Sequence, residues 1–556
     1  MRTRLLLGAL LAFAPPARAQ EQADPPEVAI GERLFLETRF AQFFAANATG
    51  INAPLPDGGD PVVEVTETTA DPLAGPFAGR AMNCRSCHLV DEQLAFDSLG
   101  IPDLSEGGMR TYADFARRSP VPARGDGLTH TARNSPSLVN AALARRGGIE
   151  LHFDGEFASL SALVKETLLG RNYGWLATER RQAMAHVARV IRQDNGRGEL
   201  AADSGGAYRR VLGGVDASIP EELVLPPLLR LDVEKASDEA IVNDVARLIA
   251  AYVRQLEFAR DDGGAFVGSP FDLFLLRNDL PRRPRPGETP QKYSRRLARA
   301  LDSLASPLFV ADVDGPFAFH AQTFRFDAEE LEGLRIFLRE PLEAPNAPQG
   351  GVAPSGVGNC VACHPAPLFT DFGFHNTGVT QREYDAVHGG GAFAALEIPT
   401  RAERAADPNA FLPLTFRHPL ATGRFRAAAD AANAELADLG AWSVAFNPDF
   451  PHAQAPLRKA LARSLGRNPG KDALLDAAIA RFKTPGLRDL GHSNPYMHDG
   501  AFDTLEDVVG FYVGSSNAQR SGTLRNGAPE LAGIQLSPAD VAPLAAFLRS
   551  LNEDYE

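Results

Sequence analysis

Cysteine is scarce in this chain: there are four in 556 residues, too few for a framework of long-range disulfides. Beyond the first residues there is no apolar run near the roughly twenty residues that a membrane-spanning helix needs. Cationic excess is lacking too. The formal net charge is −14, which argues against nucleic acid and anionic membranes as partners. No run of alternating apolar and polar residues marks a strand-rich fold. What remains is ordinary globular composition, 44% hydrophobic and 23% charged, with length for two or more cored domains.

The first twenty residues read as an export signal. Arg2 and Arg4 precede the apolar LLLGALLAFA, and Ala17-Arg18-Ala19 forms an A-x-A cleavage site before Gln20. Pro15 and Pro16 end the apolar run before it is long enough to cross a bilayer. The expectation is a soluble, exported protein cleaved after Ala19, more acidic still once three arginines are removed. An acidic surface suits a basic protein partner, and it also suits plain solvation.

The cysteines are not scattered. Cys84 and Cys87 are followed by His88, and Cys360 and Cys363 by His364, so every cysteine lies in a C-x-x-C-H motif. One C-x-x-C suits a redox dithiol or half a zinc site. Two copies, each with an adjacent histidine, suit two c-type haems: the thioethers clamp the porphyrin edge and the histidine turns under the plane to ligate iron. The competing reading is a zinc site joining the halves, through four thiolates or through two thiolates and two imidazoles.

The halves repeat each other beyond these motifs. GERLFLETRF (31–40) and GLRIFLREPL (333–342) each precede one. RNSPSLVNAA (133–142) lies over FKTPGLRDLG (482–491), and FDGEFASLSALV (153–164) over HDGAFDTLEDVV (498–509). Both DG segments read as a turn entering a helix, with Thr504 to Asp507 as a capping pattern. Residues 238–259 place Ile241, Val245, Leu248, Tyr252 and Leu256 on one helical face, and 327–338 reads as a helix capped by Asp327. With 42 prolines and 50 glycines, the fold class expected is mainly α: two tandem cytochrome c-like haem domains with long loops. The boundaries expected are 20–265 and 266–556, with 280–291 as a basic, proline-rich connector and about 177–237 as an insertion in the first domain.

The duplication allows the sixth coordination positions to be compared. Tyr512 stands fourteen residues after His498, where the first half has Thr167. A phenolate can ligate ferric haem and a threonine hydroxyl is a poor ligand. The second haem is therefore expected to be closed by His364 and Tyr512, the first to be open opposite His88. The competing reading of Tyr512 is a core aromatic. Met497 is the other candidate ligand in the second half; its equivalent, His152, competes with His130 and Met109 to close the first site. His375 reads as a structural histidine that orders the second haem's surroundings.

With these residues assembled, the sequence resembles the bacterial di-haem cytochrome c peroxidase and MauG superfamily. The resemblance rests on the signal peptide, both haem motifs, GERLF, RNSPSLVN, FTDFGFHNTGV (369–379) and FKTPGLRDLGHSNPYMHDGAFDTLEDVVGFY (482–512). It is patchy over 27–176 and stronger over 325–375 and 480–550. It implies that the haem on Cys84, Cys87 and His88 reacts with peroxide, and that the haem on Cys360, Cys363 and His364 relays electrons. It implies a periplasmic location and Tyr512, at the family's Met-or-Tyr position, as distal ligand of the second haem. It also implies a calcium ion between the haems near Asn134, Ser493 and Pro495.

Departures from the family pattern fall around the first haem. The tryptophan usual before the first DG is Phe153, the distal acid twenty residues on is Tyr173, and an intervening glutamine is Leu163. TLLGRNYGWL (167–176) offers Arg171, Tyr173 and Trp175 instead. General acid–base help is typically worth roughly 10²- to 10⁴-fold, so a slow peroxidase is expected unless Glu166 or His152 takes the role. The leading expectation is reduction of hydrogen peroxide with electrons from a small cytochrome c or cupredoxin. The alternatives are MauG-like oxidation of a partner protein's side chain, and a di-haem electron-transfer protein without peroxidase chemistry. The 177–237 segment is expected to shape a partner surface or a homodimer contact.

Overall fold

The computed structural model describes residues 24–55, 83, 84, 87, 88, 118, 119, 121–143, 151–317, 320, 322–341, 356–463, 465 and 469–554. The proposed signal peptide lies outside them. The described chain is helix-rich, and its single sheet is a two-stranded antiparallel pair in which Phe374 faces Lys483 and His375 faces Phe482.

Each half is organised on a contact between the helix ahead of its haem motif and its last helix. In the first, Pro26–Phe35 crosses Asp238–Gln255; in the second, Ala328–Leu338 crosses Val541–Arg549. Both crossings are close because a glycine sits at each. A Cβ on Gly31 would overlap the Leu248 carbonyl, and one on Gly333 would overlap the Pro543 carbonyl. The helical readings of the sequence are met: Ile241, Val245, Leu248 and Tyr252 are buried along Asp238–Gln255, and Asp327 caps Ala328–Leu338 through a capping box with Glu330. Leu256 falls just past the end of its helix as the C-cap.

The two DG turns are copies of one another. Leu151 pairs with Phe157 across the first and Tyr496 with Phe502 across the second. His152 and Met497 occupy the same left-handed backbone, φ 63 and 72, and so do Gly155 and Gly500. Ser159 caps the helix Leu160–Leu168 and Thr504 caps Leu505–Ser521.

These copies meet face to face. The Asn134 amide donates to the His498 carbonyl at 2.7 Å, and the Lys483 amide donates to the Phe153 carbonyl at 2.7 Å. Asn134 corresponds to Lys483 and His498 to Phe153, so the halves join across a local two-fold of their own repeat.

Three main cores result. The first contains Val28, Phe35, Leu168, Val187, Tyr208 and Leu248, and Cys84 packs against it. The second is built on Phe271, Phe326, Phe337, Phe369 and Phe547, and Cys360 packs against that; Phe271 shows that it already begins ahead of the 280–291 connector. Burying each such phenylalanine contributes about 1.5–3 kcal/mol. The 177–237 segment is integral to the first half. Its Asp194 binds both Arg33 and Arg39 at 3.0 Å, and its Tyr208 hydroxyl donates to Glu37 at 2.9 Å, all with the ionic side chains fully buried.

The third core was not anticipated. Between Phe374–His375 and Phe482–Lys483 the chain builds a lobe on Phe393, Phe425, Trp442, Leu457 and Leu475. Its helices are short, and much of its core sits on loops and single turns, so no long apolar period announces it.

Candidate functional site

The two C-x-x-C-H segments fold alike. The His88 amide donates to the Cys84 carbonyl at 3.0 Å, and the His364 amide to the Cys360 carbonyl at 2.7 Å. In each, Nδ1 of the histidine is tied to a backbone carbonyl: His88 to Pro136 at 2.9 Å and His364 to Phe369 at 2.8 Å. A carbonyl at Nδ1 makes that nitrogen the N–H and leaves Nε2 with its lone pair, the form that ligates metal. Burial, with a smaller push from His152, pulls His88 down to about 4, and burial also lowers His364. Both imidazoles are therefore neutral and ready to bind.

No disulfide joins the four cysteines. Among the described residues the two cysteine pairs form no common metal-binding cluster, which removes the geometric basis for zinc joining the halves. Two thiols beside one Nδ1-anchored imidazole fit a c-type haem at each motif.

The residues singled out around the first motif separate. The Tyr173 hydroxyl lies 3.2 Å from Cys84 Sγ, and burial together with that thiol raises it well above an ordinary phenol. Glu166 is not with it; both its oxygens take hydrogen bonds from Arg180, at 2.5 and 2.6 Å. That guanidinium in turn covers the Phe416 ring at 4.4 Å on the third lobe. Arg171 is bound to Asp126 and to the Pro122 and Leu128 carbonyls. Trp175 is buried with its indole N–H on the Phe40 carbonyl. His130 is exposed beside Thr129. Met109 lies outside the described residues.

Phe153 is at the junction of the halves, not inside the first core. Its ring meets His498 edge-on at 6.5 Å, and His498 stacks on Phe482 at 3.6 Å and 14°. Among the described residues, buried His498 Nε2 has no hydrogen-bond partner, so a polar group facing it would find a ready donor or acceptor.

Around the second motif, Tyr512 packs on Leu524, Leu531 and Ile534. Burial, then Cys363 and Cys360, raise its hydroxyl above the usual phenol range. His375 is held by Asp371 at 3.0 Å and lies 3.8 Å from Glu530. Burial opposes its charge, but Asp371, Cys363 and Glu530 prevail and raise it to about 12.

The three residues expected near calcium are partly together. Asn134 Nδ2 donates to the Pro495 carbonyl, while the Ser493 hydroxyl turns away to the Asp489 carbonyl at 2.8 Å. Asn134 Oδ1 accepts from the Ser135 amide at 2.8 Å; the contacts expected of Ser493 and Pro495 are backbone carbonyls, on which the Ser493 hydroxyl does not bear.

An ionic clamp that the motifs did not indicate closes over the junction. Arg133 pairs with Asp154 at 2.7 Å and with Asp438 at 2.6 Å. Arg426 pairs with Asp154 and with Glu156, the latter at 2.6 Å. Asp154 is wholly buried; burial works against its charge, yet Arg133 and Arg426 hold it far below the usual carboxylate range. Asp438 and Arg426 come from the third lobe, so the lobe fastens the first half to the second. Removing one partner of a buried pair strands the other charge and costs about 3–5 kcal/mol. Asp154→Asn is therefore expected to lower the unfolding free energy of the haem-loaded protein by that much, read as a lower denaturant midpoint at an unchanged slope; an unchanged midpoint would show the clamp to be dispensable.

No family model matches the chain. Among curated proteins it is similar to cytochrome-c peroxidase IdrP2 of Denitromonas iodatirespirans, 29% identical over 198 residues, 36% of this chain and 37% of that protein. The IdrP2 of Pseudomonas sp. (strain SCT) is 26% identical over 248 residues, 41% of this chain and 50% of that one. The methylamine utilization protein MauG of Methylorubrum extorquens is 33% identical over 90 residues, 16% of this chain and 24% of the relative. The matched stretches thus span half or less of each relative's length. A solved structure, the diheme peroxidase BthA from Burkholderia thailandensis E264, aligns with 98% of this chain and 89% of its own at a TM-score of 0.43 and 19% identity. The similarity is to the di-haem cytochrome c peroxidase and MauG superfamily that the motifs resemble.

Proposed function

We propose that the chain is an exported, periplasmic di-haem c-type oxidoreductase that reduces hydrogen peroxide at the site of Cys84, Cys87 and His88. Electrons enter through the site of Cys360, Cys363 and His364 from a small cytochrome c or cupredoxin. The observation that carries this reading is the repeated motif geometry: two half-buried cysteines beside an imidazole whose Nδ1 is held by a carbonyl. Iron in a haem bound there supplies a Lewis acid and a one-electron relay.

The chain's own residues divide the work. Pro136 and Phe369 fix the tautomer of each proximal histidine and so aim Nε2. Tyr512 is the phenol that would hold the iron of a haem at the second site together with His364. Tyr173, standing where the family's acid is expected, is a poor acid while its hydroxyl is buried against Cys84. Phe153, His498 and Phe482 form the aromatic contact through which the two sites couple. Phenylalanine holds a radical cation less readily than indole, so Phe153 would pack the junction without serving as a stopping point for a hole. A calcium ion at Asn134 and Pro495 would brace the same junction.

Tyr512 also favours a second reading, MauG-like oxidation of a partner protein's side chain, because the family's MauG-like members carry tyrosine there. Steady consumption of hydrogen peroxide with reduced cytochrome c is the expected result. Peroxide consumption that proceeds only with a partner protein, whose side chain gains the oxidation, would overturn it in favour of the second reading.

A further inference from the structure

The stretch 282–299 gathers seven arginines and lysines against one acid, Glu288, in a chain where 70 acids outnumber 56 bases. Three of the cations are occupied: Arg282 by Asp261 at 2.8 Å, Arg295 by Glu340 and Arg296 by Glu288, both at 2.7 Å. Among the described residues Arg283, Arg285, Lys292 and Arg299 are exposed and make no ion pair.

The helix Pro290–Asp302 has two faces. Tyr293, Ser294, Leu297 and Leu301 are buried. Lys292, Arg295 and Arg299 recur at i, i+3 and i+7 on the opposite side and are exposed. Stability does not account for that outer face. Lys292 stands in the first turn, where the helix dipole favours an acid, and no acid is there. Lys292 with Arg296, and Arg295 with Arg299, are like charges four residues apart, a spacing that weakens a helix. Arg299 alone stands at the end the dipole favours.

The inner face is seated on the second haem motif. Ser294 Oγ accepts a hydrogen bond from the Ala366 amide, two residues beyond His364, at 3.0 Å. Tyr293, Leu297, Val361 and Ala366 share one core. The Tyr293 hydroxyl donates to the Pro281 carbonyl at 2.9 Å and Arg296 to the Arg283 carbonyl at 3.0 Å, which binds the basic connector to the same helix. A protein lying on the outer face is separated from the second motif by one helix, about 10–12 Å across.

We infer that the outer face of Pro290–Asp302, with Arg283 and Arg285 beside it, is the docking surface for an acidic small redox protein that delivers electrons to the second site. The inference rests on the electron entry proposed above and adds where the donor sits and what charge it carries. Each docking passes one electron: the donor is oxidised and ferric iron held at the second site is reduced to ferrous, with no bond or proton exchanged. The chain's net charge of −14 repels an acidic donor elsewhere, so the cationic face also sets its orientation.

The test uses the haem-loaded full chain without peroxide, with plastocyanin, an acidic cupredoxin, as the probe and a basic cytochrome c as the control. Electron transfer from the reduced probe is followed by stopped flow, and binding of its redox-inert zinc form by calorimetry. Lys292→Glu combined with Arg299→Glu is expected to slow the transfer and weaken the binding roughly tenfold or more at low ionic strength, the lower end of what electrostatic steering contributes. The difference should close as added salt shortens the Debye length, and the reaction with cytochrome c should not be slowed. Both side chains are exposed, so the variant should keep two haems per chain and the parent's ferric spectrum; Lys292→Gln with Arg299→Gln should fall between. Equal rates and binding in the parent and the glutamate variant would overturn the inference and leave the proposed function standing. A parent dimer that charge reversal splits would overturn it in favour of a second copy of this acidic chain. Binding to phosphatidylglycerol vesicles that the variant loses, with plastocyanin indifferent to the change, would overturn it in favour of a membrane surface. A second haem that accepts no electron from either protein would overturn the electron entry itself, and this inference with it.

Discussion

Replacing Cys84 and Cys87 together by serine is expected to leave a protein with one haem c per chain and no steady consumption of hydrogen peroxide. The half-buried Cys84 packs against the first core, with two residues between it and Cys87, which His88 follows, so a haem attached there would lose both its thioether bonds in this variant. His88 alone would have to retain it, and a single imidazole does not hold haem against washing and dialysis. The matching change at Cys360 and Cys363 should separate the two roles. That variant keeps the peroxide site and is expected to react once with peroxide, but not to turn over, since electrons no longer enter. Pyridine haemochrome content and oxidation of reduced cytochrome c report both results. Turnover that survives loss of Cys84 and Cys87 would place the chemistry at the second site instead.

Tyr512→Phe is expected to change the second haem's ligation outright. In the chain alone the phenol is hard to ionise, because burial and the neighbouring thiols raise it above the usual range. A ferric iron reverses that balance: a metal cation is the largest charge in such a site and deprotonates its ligands. The resulting anionic ligand stabilises ferric over ferrous iron. Removing it should therefore raise the reduction potential of the second haem by on the order of 0.1 V, a fraction of the roughly 0.8 V that axial ligands span. Loss of the phenolate charge-transfer band and a raised potential in a redox titration are the results to look for. An unchanged spectrum would return Tyr512 to the role of a core aromatic against Leu524 and Leu531.

What could be read from the sequence alone was whatever the chain writes locally. Both C-x-x-C-H turns, the DG turns with their caps and the long amphipathic helix at 238–255 carry their signals within a few residues, and the structure has each in place. The repeat also made His152 and Met497 comparable before any coordinates, since both sit at one register of the duplicated turn.

The third lobe and its clamp were not legible in that way. Arg426 reaches Asp154 and Arg133 reaches Asp438 across most of the chain, and a charge pair so distant in sequence leaves no local pattern. The lobe's core rests on short helices and loops around Trp442, where hydrophobic periodicity has nothing to act on. Glu166 illustrates the complementary difficulty. Its position on the Leu160–Leu168 helix suits a site acid, and only the fold reveals that Arg180 occupies both of its oxygens. The 177–237 segment looked like an addition to the first half, whereas Asp194 and Tyr208 anchor it to the buried Arg33, Glu37 and Arg39. A buried ionic network of that kind holds position as much as it stabilises.

The asymmetry between the two sites is tested most directly by electron paramagnetic resonance of the haem-loaded protein, in the fully ferric state and again with one electron added. An open first haem opposite His88 and a second haem closed by Tyr512 predict one high-spin ferric signal and one low-spin signal in the fully ferric state. Two low-spin haems in both states would contradict it, because no iron would then be free to bind peroxide.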